Sequence, residues 1–136
     1  MKPVQVPVAL LAAVLLCFTS CQKENHLTPE SVASKILGKW QINSVTFNKY
    51  YAGTGNKETM AGTPSDYVEF KNDGKVHTFF LDSLSIAGYK VKNAQVILIN
   101  DDPFSIQELT DNKLRLYSRD ETGSFGYTEV TYNLKR

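Results

Sequence analysis

From Lys39 onward, apolar and polar residues alternate with a period of two. Turn-forming residues interrupt them every 8–12 residues or so, a rhythm that predicts short antiparallel strands. The pattern places strands at about 39–48, 66–71, 75–82, 87–92, 95–100, 103–109, 113–119 and 126–135. Asn72-Asp73-Gly74, Lys92-Asn93-Ala94, Asp101-Asp102-Pro103 and Thr110-Asp111-Asn112 supply the turns between them. Many short strands with such punctuation indicate an all-β barrel or sandwich. Two stretches break the rhythm. Residues 49–65 are rich in Gly and Thr, begin with Tyr50-Tyr51 and end with Met60 to Pro64, and are expected to form a long loop. Loops of that length in small domains are usually functional or disordered. The second stretch is Asp120 to Gly126, with Gly123 and Gly126 around Phe125.

One segment ahead of the strands has a helical period. Thr28 suits the N-cap, Pro29 the first helical position, and Glu30 the positive end of the helix dipole. Val32 and Ile36 fall on one face at i, i+4 spacing, with Leu37 beside them, and Gly38 supplies a stop. A capping box needs Glu or Gln at position 31; Ser31 stands there, so no box is expected. A helix this short must pack against something to persist. Several strands leave their inward face open. On 75–82, Val76, Thr78 and Phe80 oppose His77, Phe79 and Leu81, and Val96-Ile97-Leu98-Ile99 is apolar on both faces. Something is expected to cover the outer side there, either the 31–37 helix or a partner protein.

The first residues follow a different logic. Met1-Lys2-Pro3 precedes an almost wholly apolar run from Val4 to Phe18, then Thr19-Ser20-Cys21. A charged start, an apolar run and small residues are the anatomy of a secretory signal peptide. The run, about 15 residues, is short of the roughly 20 needed to span a bilayer. With a cysteine directly after the small residues, the segment resembles a bacterial lipoprotein signal. That resemblance implies cleavage before Cys21, acylation of Cys21 and attachment to a membrane through acyl chains. Phe18 stands where such signals usually carry an aliphatic residue. The expected organisation is a lipoprotein signal over 1–20, a tether over 21–28 and one barrel domain over 29–136. The Cys-Gln-Lys-Glu start of the tether also resembles the lysine-plus-acidic signal of some surface-displayed lipoproteins. The expected location is the Gram-negative cell envelope, anchored to the outer membrane on its periplasmic face or at the cell surface.

Composition narrows the chemistry. The chain has two cysteines; Cys17 would leave with the signal and Cys21 would be acylated, which leaves no disulfide, thiolate metal site or cysteine nucleophile. Lys+Arg number 15 and Asp+Glu 14, interspersed along the chain. With no basic stripe, nucleic acid is not an expected partner. His26 lies in the tether, so His77 is the one histidine of the domain, too few ligands for zinc and without a Gly-x-Ser-x-Gly elbow to serve. Asn72-Asp73-Gly74 fails as a calcium loop, since Lys71 and Phe80 would fall at ligand positions. Asp101-Asp102 before Pro103 is expected to be a solvated turn. No catalytic residue, metal or cofactor is expected, and the protein is not expected to be an enzyme.

Leu37-Gly38-Lys39-Trp40 carries a second resemblance. A short helix, then Gly-x-Trp at the head of the first strand, then about eight antiparallel strands, resembles the lipocalin-like domains of bacterial lipoproteins. Tyr67-Val68-Glu69-Phe70 before Asn72-Asp73-Gly74 looks like that family's strand and Asp-Gly turn. Ile106-Gln107-Glu108-Leu109-Thr110 followed by Leu114-Arg115-Leu116-Tyr117 looks like its penultimate hairpin. The resemblance spans about residues 30–136 and implies an eight-stranded antiparallel barrel with a short N-terminal helix. It further implies that Trp40 closes one barrel end beneath a late basic residue. Lys135, Arg136, Arg115 and Arg119 are the candidates, with Gly38, Trp40 and Arg136 taken as the closing set.

The family holds small apolar ligands or serves unknown binding roles, and an eight-stranded barrel is just wide enough to hold one small ligand or to fill with side chains. The expected function is binding of a small apolar or amphipathic molecule through the open end, near 49–65. Tyr50, Tyr51, Tyr67, Phe80 and Tyr89 are the candidate contacts. The alternative is a structural or protein/glycan interaction module with a filled barrel and no ligand. Asp82-Ser83-Leu84 also resembles an O-glycosylation sequon, at Ser83.

Overall fold

The computed structural model describes residues 27–136. The signal segment, Cys21 and the tether up to residue 26 lie outside the described residues. Helix α1 (Pro29–Ile36) is followed by nine strands: β1 (Gly38–Tyr51), β2 (Thr54–Ala61), β3 (Tyr67–Phe70), β4 (Lys75–Phe80), β5 (Ser83–Asn93), β6 (Val96–Ile99), β7 (Asp102–Leu109), β8 (Lys113–Glu121) and β9 (Gly126–Lys135). A single 3-10 turn, Gly123–Phe125, joins β8 to β9. Pairing runs β1-β3-β4-β5-β6-β7-β8-β9, and β9 returns to β1. That ring is a closed eight-stranded antiparallel barrel, as the resemblance implies.

β2 stands outside the ring, and it corrects the expected loop at 49–65. β1 runs on to Tyr51, reverses at Ala52-Gly53 and returns as β2, from Tyr51↔Thr54 to Ser44↔Ala61. Ala52 and Gly53 both have positive φ, 49° and 84°, the backbone of a type I′ hairpin turn. Pairing with β1 outweighs the low strand propensity of the Thr-Gly-Asn-Lys sequence. β1 therefore serves three partners: β9 along one edge, and β3 then β2 along the other.

Two further turns differ from the expected ones: the first replaces a loop expected at 83–86, and the second moves by one residue. Leu81-Asp82 (φ 51° and 60°) joins the pair Phe80↔Ser83, and Asn100-Asp101 (φ 50° and 68°) joins Ile99↔Asp102. Both are again type I′. β5 thus starts at Ser83 instead of 87, and Asp102, solvent-exposed as expected, opens a strand instead of lying in the turn. Irregularities at Ile42/Ser44, Val91/Asn93 and Ile106/Glu108 bend the strands as β-bulges do. The carbonyl of Asn43 in the first bulge is taken by Gly62 N–H at 3.0 Å. Gly62 lies so close to Ile42 that a β-carbon there would stand 2.0 Å from its carbonyl oxygen.

The core is the inner face of the ring: Trp40, Ile42 and Val45 of β1, Val68 and Phe70 of β3, Val76, Ile97, Leu114, Leu116 and Leu134. α1 plugs one end of the barrel instead of covering an outer face. Its Val32 and Ile36 are fully buried, and its neighbours are β5 and β7. Burying two such side chains contributes about 1.5–3 kcal/mol each. α1 also carries the capping box that its sequence did not foretell. Thr28 Oγ1 accepts from Ser31 N–H at 3.1 Å, and Ser31 Oγ accepts from Thr28 N–H at 2.9 Å. The serine hydroxyl makes the return bond usually made by a Glu or Gln side chain.

The closed end is locked by contacts distant in sequence. Trp40, fully buried, donates its indole N–H to Ile36 O at 2.8 Å. The Arg136 guanidinium lies 3.9 Å over the Trp40 ring. It donates to Leu37 O and Lys35 O at 2.8 Å each and to Asp111 O at 2.9 Å. The C-terminus thereby caps the carbonyl end of α1, where a cation complements the helix dipole. Gly38 has φ 101°, and a side chain there would point towards this guanidinium. Lys135, Arg115 and Arg119 do not share the position: Arg115 bonds Asn133, and Arg119 lies over Tyr127.

Candidate binding site at the open end

The hairpin of β6 and β7 is shorter than its neighbours. β6 pairs with β5 only from Tyr89 to Asn93, and β7 pairs with β8 only as far as Tyr117. Above the Asn100-Asp101 turn, β5 (Ser83–Ala87) has no partner on that side, and beyond Tyr117 β8 parts from β7, so that Ser118–Glu121 pair with β9 alone. The ring is continuous at the α1 end and loses part of its pairing at the other. Asn100 ties the short hairpin to β5: its N–H donates to Gly88 O at 2.9 Å, and its Oδ1 accepts from Gly88 N–H at 3.3 Å.

A cavity of about 250 Å³ opens over this low wall. Its floor is apolar, formed by Val68, Val76, Ala87, Ile99 and Phe104 with the core-packed Tyr132 ring, and its rim is polar, formed by Thr78, Ser85, Asn100 and Asp102. Register explains the division. Val76↔Ala87 and Thr78↔Ser85 are cross-strand pairs that share the inner face with Ile99, Asp102 and Phe104. Side chains become polar on that face as the strands rise above the core. The Phe104 and Tyr132 rings are 6.4 Å apart and tilted by 54°. Burial pushes the Tyr132 phenol above its ordinary value.

None of the five expected contact residues lines this cavity. Tyr50 is on the outer face, stacked 5.1 Å from Tyr127, and Tyr51 is 67% exposed at the hairpin end. Tyr67 is also outside, stacked 6.0 Å from Phe79 and covered by Lys39 Nζ at 3.9 Å. Phe80 faces inward near the top of β4 and packs against the core. Tyr89 is inside but occupied: its ring meets Phe70 edge-on at 5.1 Å and its hydroxyl donates to Lys71 O at 2.8 Å. Burial, then the charge of Asp73, raises its pKa. Asp102, Tyr132, Phe104, Thr78 and Ser85 line the cavity in their place. The Asn-Asp turn followed by alternation could have pointed to Asp102 and Phe104, had the turn been set one residue earlier.

Other polar groups serve the framework. Asp66 is buried at 3% exposure, and its carboxylate accepts from Thr63 N–H at 2.7 Å and Thr63 Oγ1 at 2.9 Å. His77 faces outward between Glu69 and Ile86. On the outer face, Glu129 accepts from Tyr117 Oη at 2.8 Å and Asn48 Nδ2 at 2.9 Å, fastening β8, β9 and β1 together. Those two bonds hold its carboxyl below the usual value; the Tyr117 phenol is raised by desolvation first and then by its bond to Glu129. Among the described residues, no cluster of three His, Cys, Asp or Glu could hold a metal, and no helix is long and apolar enough to cross a membrane. Ser83 is exposed at the start of β5.

No protein-family model matches the chain, and no curated protein matches it.

Proposed function

We propose that the protein is a lipid-anchored binding protein of the bacterial cell envelope whose barrel holds a small amphipathic molecule at its open end. The observation that carries this is the cavity. Its apolar floor continues the core, its rim changes to hydroxyl, amide and carboxylate groups, and a gap in the wall gives access. A filled barrel would need side chains in that space, and the truncated β6–β7 hairpin leaves it open. The volume lies just below the 300–1,000 Å³ of typical ligand pockets, which sets the ligand's size class. Acylation at Cys21 supplies the anchor in this proposal, and attachment through more than one chain makes it stable.

Two experiments test it. The chain from residue 22, which contains the whole barrel, is titrated with the neutral fluorophore N-phenyl-1-naphthylamine. Saturable, blue-shifted fluorescence is expected, and Ala87→Phe should abolish it by filling the floor. Failure to bind, or equal binding by a folded Ala87→Phe variant, would overturn the site. In the full chain, Cys21→Ser should move the protein out of the membrane fraction, and its retention there after a high-salt wash would overturn the anchor.

A further inference from the structure

We infer that the ligand of this cavity carries a cationic nitrogen, a protonated amine or quaternary ammonium, on a short apolar body. The inference rests on the binding function proposed above and adds the chemistry of the head group.

Asp102 is the charged residue of the cavity lining, which contains no lysine, arginine or histidine. Its place is set by the backbone. The Asn100-Asp101 turn pairs Asp102 with Ile99, which puts its carboxylate on the inner face, one strand step above Phe104. Alternation along β7 reserves that face for apolar residues: Phe104 and Ile106 pack against the core there. A carboxylate at the head of an apolar stripe departs from the local pattern, and such departures concentrate at functional sites.

No cation among the described residues neutralises Asp102. The ion pairs present join Lys35 to Asp111, Arg115 to Glu108 and Arg119 to Glu121, all elsewhere. The adjacent Asp101 adds negative charge to the rim. Lys90 lies opposite Leu98 on the outer face of β5 and β6. Lys49 and Asp120, both in register with Thr128, share the inner face on the far wall, and neither lines the cavity.

The second observation is aromatic. The Phe104 and Tyr132 rings line the same cavity as Asp102, tilted to each other by 54°. Ring faces attract cations, and pairing them with a carboxylate is the chemistry that recognises alkylammonium groups. An anionic head would meet Asp102 and Asp101 with no compensating base. A neutral head would gain only the hydrogen bonds of Thr78, Ser85 and Asn100.

The test is displacement of N-phenyl-1-naphthylamine from the chain starting at residue 22, using three competitors with the same six-carbon tail: hexyltrimethylammonium, hexanol and hexanoate. The ammonium compound should displace the probe at about tenfold lower concentration than hexanol, with hexanoate weakest. Asp102→Asn should bring ammonium and alcohol within about twofold of each other. Phe104→Leu should weaken the ammonium compound more than the alcohol. A hexyl phosphocholine in parallel separates the sources of such a head group. Weaker displacement than hexyltrimethylammonium supports a free ammonium ion, and tighter displacement supports a lipid head group. Probe binding with no preference for the cation, or a preference that survives Asp102→Asn, overturns this inference and leaves apolar binding standing. No binding of the probe or of any competitor, measured directly by calorimetry, overturns both.

Discussion

Replacing Arg136 by Met tests whether the last residue of the chain locks the barrel. The side chain does two things at once. It stacks 3.9 Å over Trp40, and it donates to three backbone carbonyls: Lys35 and Leu37 at the end of α1, and Asp111 in the β7–β8 turn. Methionine keeps most of the apolar stem and removes the charge and the donors. The cation over the indole is worth about 0.5–2 kcal/mol. Hydrogen bonds from a charged donor are worth about 1.5–3 kcal/mol each when buried, but these carbonyls are exposed, and water replaces the lost donor. A net loss of about 2–3 kcal/mol follows, the stack supplying about 1 and the carbonyls the rest. Urea unfolding of the chain from residue 22 measures it as a fall in midpoint at unchanged slope. A double-mutant cycle with Trp40→Leu isolates the stack, because the carbonyl bonds are lost in both Arg136→Met backgrounds and cancel. The expected coupling is about 1 kcal/mol. A loss below about 0.5 kcal/mol, within the range of an ordinary surface substitution, would show that the C-terminus is not part of the lock. A coupling near zero would show that ring and guanidinium are merely adjacent.

Trp40→Ala should cost about 3–5 kcal/mol, since it empties a fully buried indole site and strands the Ile36 carbonyl; denaturant unfolding reads it. Leu81→Asn should stabilise the fold by about 0.5–1 kcal/mol. Leu81 is 62% exposed and holds φ 51°, a conformation that costs a bulky L-residue about 1–2 kcal/mol and suits Asn in a type I′ turn; a raised Tm checks it. Tyr132 gives a pH dependence. Its folded pKa lies above the model-compound value of 10.0, so its contribution is complete below pH 10.0 and is lost as pH rises towards the folded value. Tyr132→Phe should therefore lose less stability than the native chain between neutral pH and pH 11, by chemical denaturation at each pH.

The barrel was legible because its evidence is local and repeated. Period-two alternation and regular turns specify antiparallel strands, and Gly38-Lys39-Trp40 fixes which end the helix meets. The β1–β2 hairpin was illegible because Thr54 to Met60 has neither alternation nor β-branched density, and pairing with an extended β1 supplies what propensity does not. The site was missed for a narrower reason. Asp101-Asp102-Pro103 and Asn100-Asp101 are equally plausible turns by composition, but a shift of one residue exchanges the faces of everything downstream. The earlier turn puts Asp102 on the inner face, exposed at the cavity mouth; the later one would turn it to the outer face. Tyr50, Tyr51 and Tyr67 are conspicuous in sequence amid polar residues; Tyr50 and Tyr67 lie on outer faces and Tyr51 at the exposed hairpin end. Phe104 and Tyr132 look like ordinary core.

The truncated hairpin that opens the cavity also exposes strand edges, and the chain treats those edges unequally. β2 has no second neighbour and carries Lys57 and Glu58; the free part of β8 reads Ser118-Arg119-Asp120-Glu121. Charges on an exposed edge discourage pairing with another chain. The free part of β5, Ser83 to Ala87, has no charge at all. Gly88 directs its N–H and C=O towards the β6 side, to Asn100, and the two-residue alternation of an antiparallel ladder gives Leu84 and Ile86 the same direction. Those two residues therefore present unpaired backbone groups to the gap, with side chains 54% exposed on the outer face. Ser83, Ser85 and Ala87 face inward, where a charge would sit directly above the apolar floor. A lysine there would place a cation beside Asp102 and neutralise the one carboxylate of the lining. Only the inward positions are tied to Asp102 in this way; Leu84 and Ile86 point outward, could carry a charge without approaching it, and are left apolar.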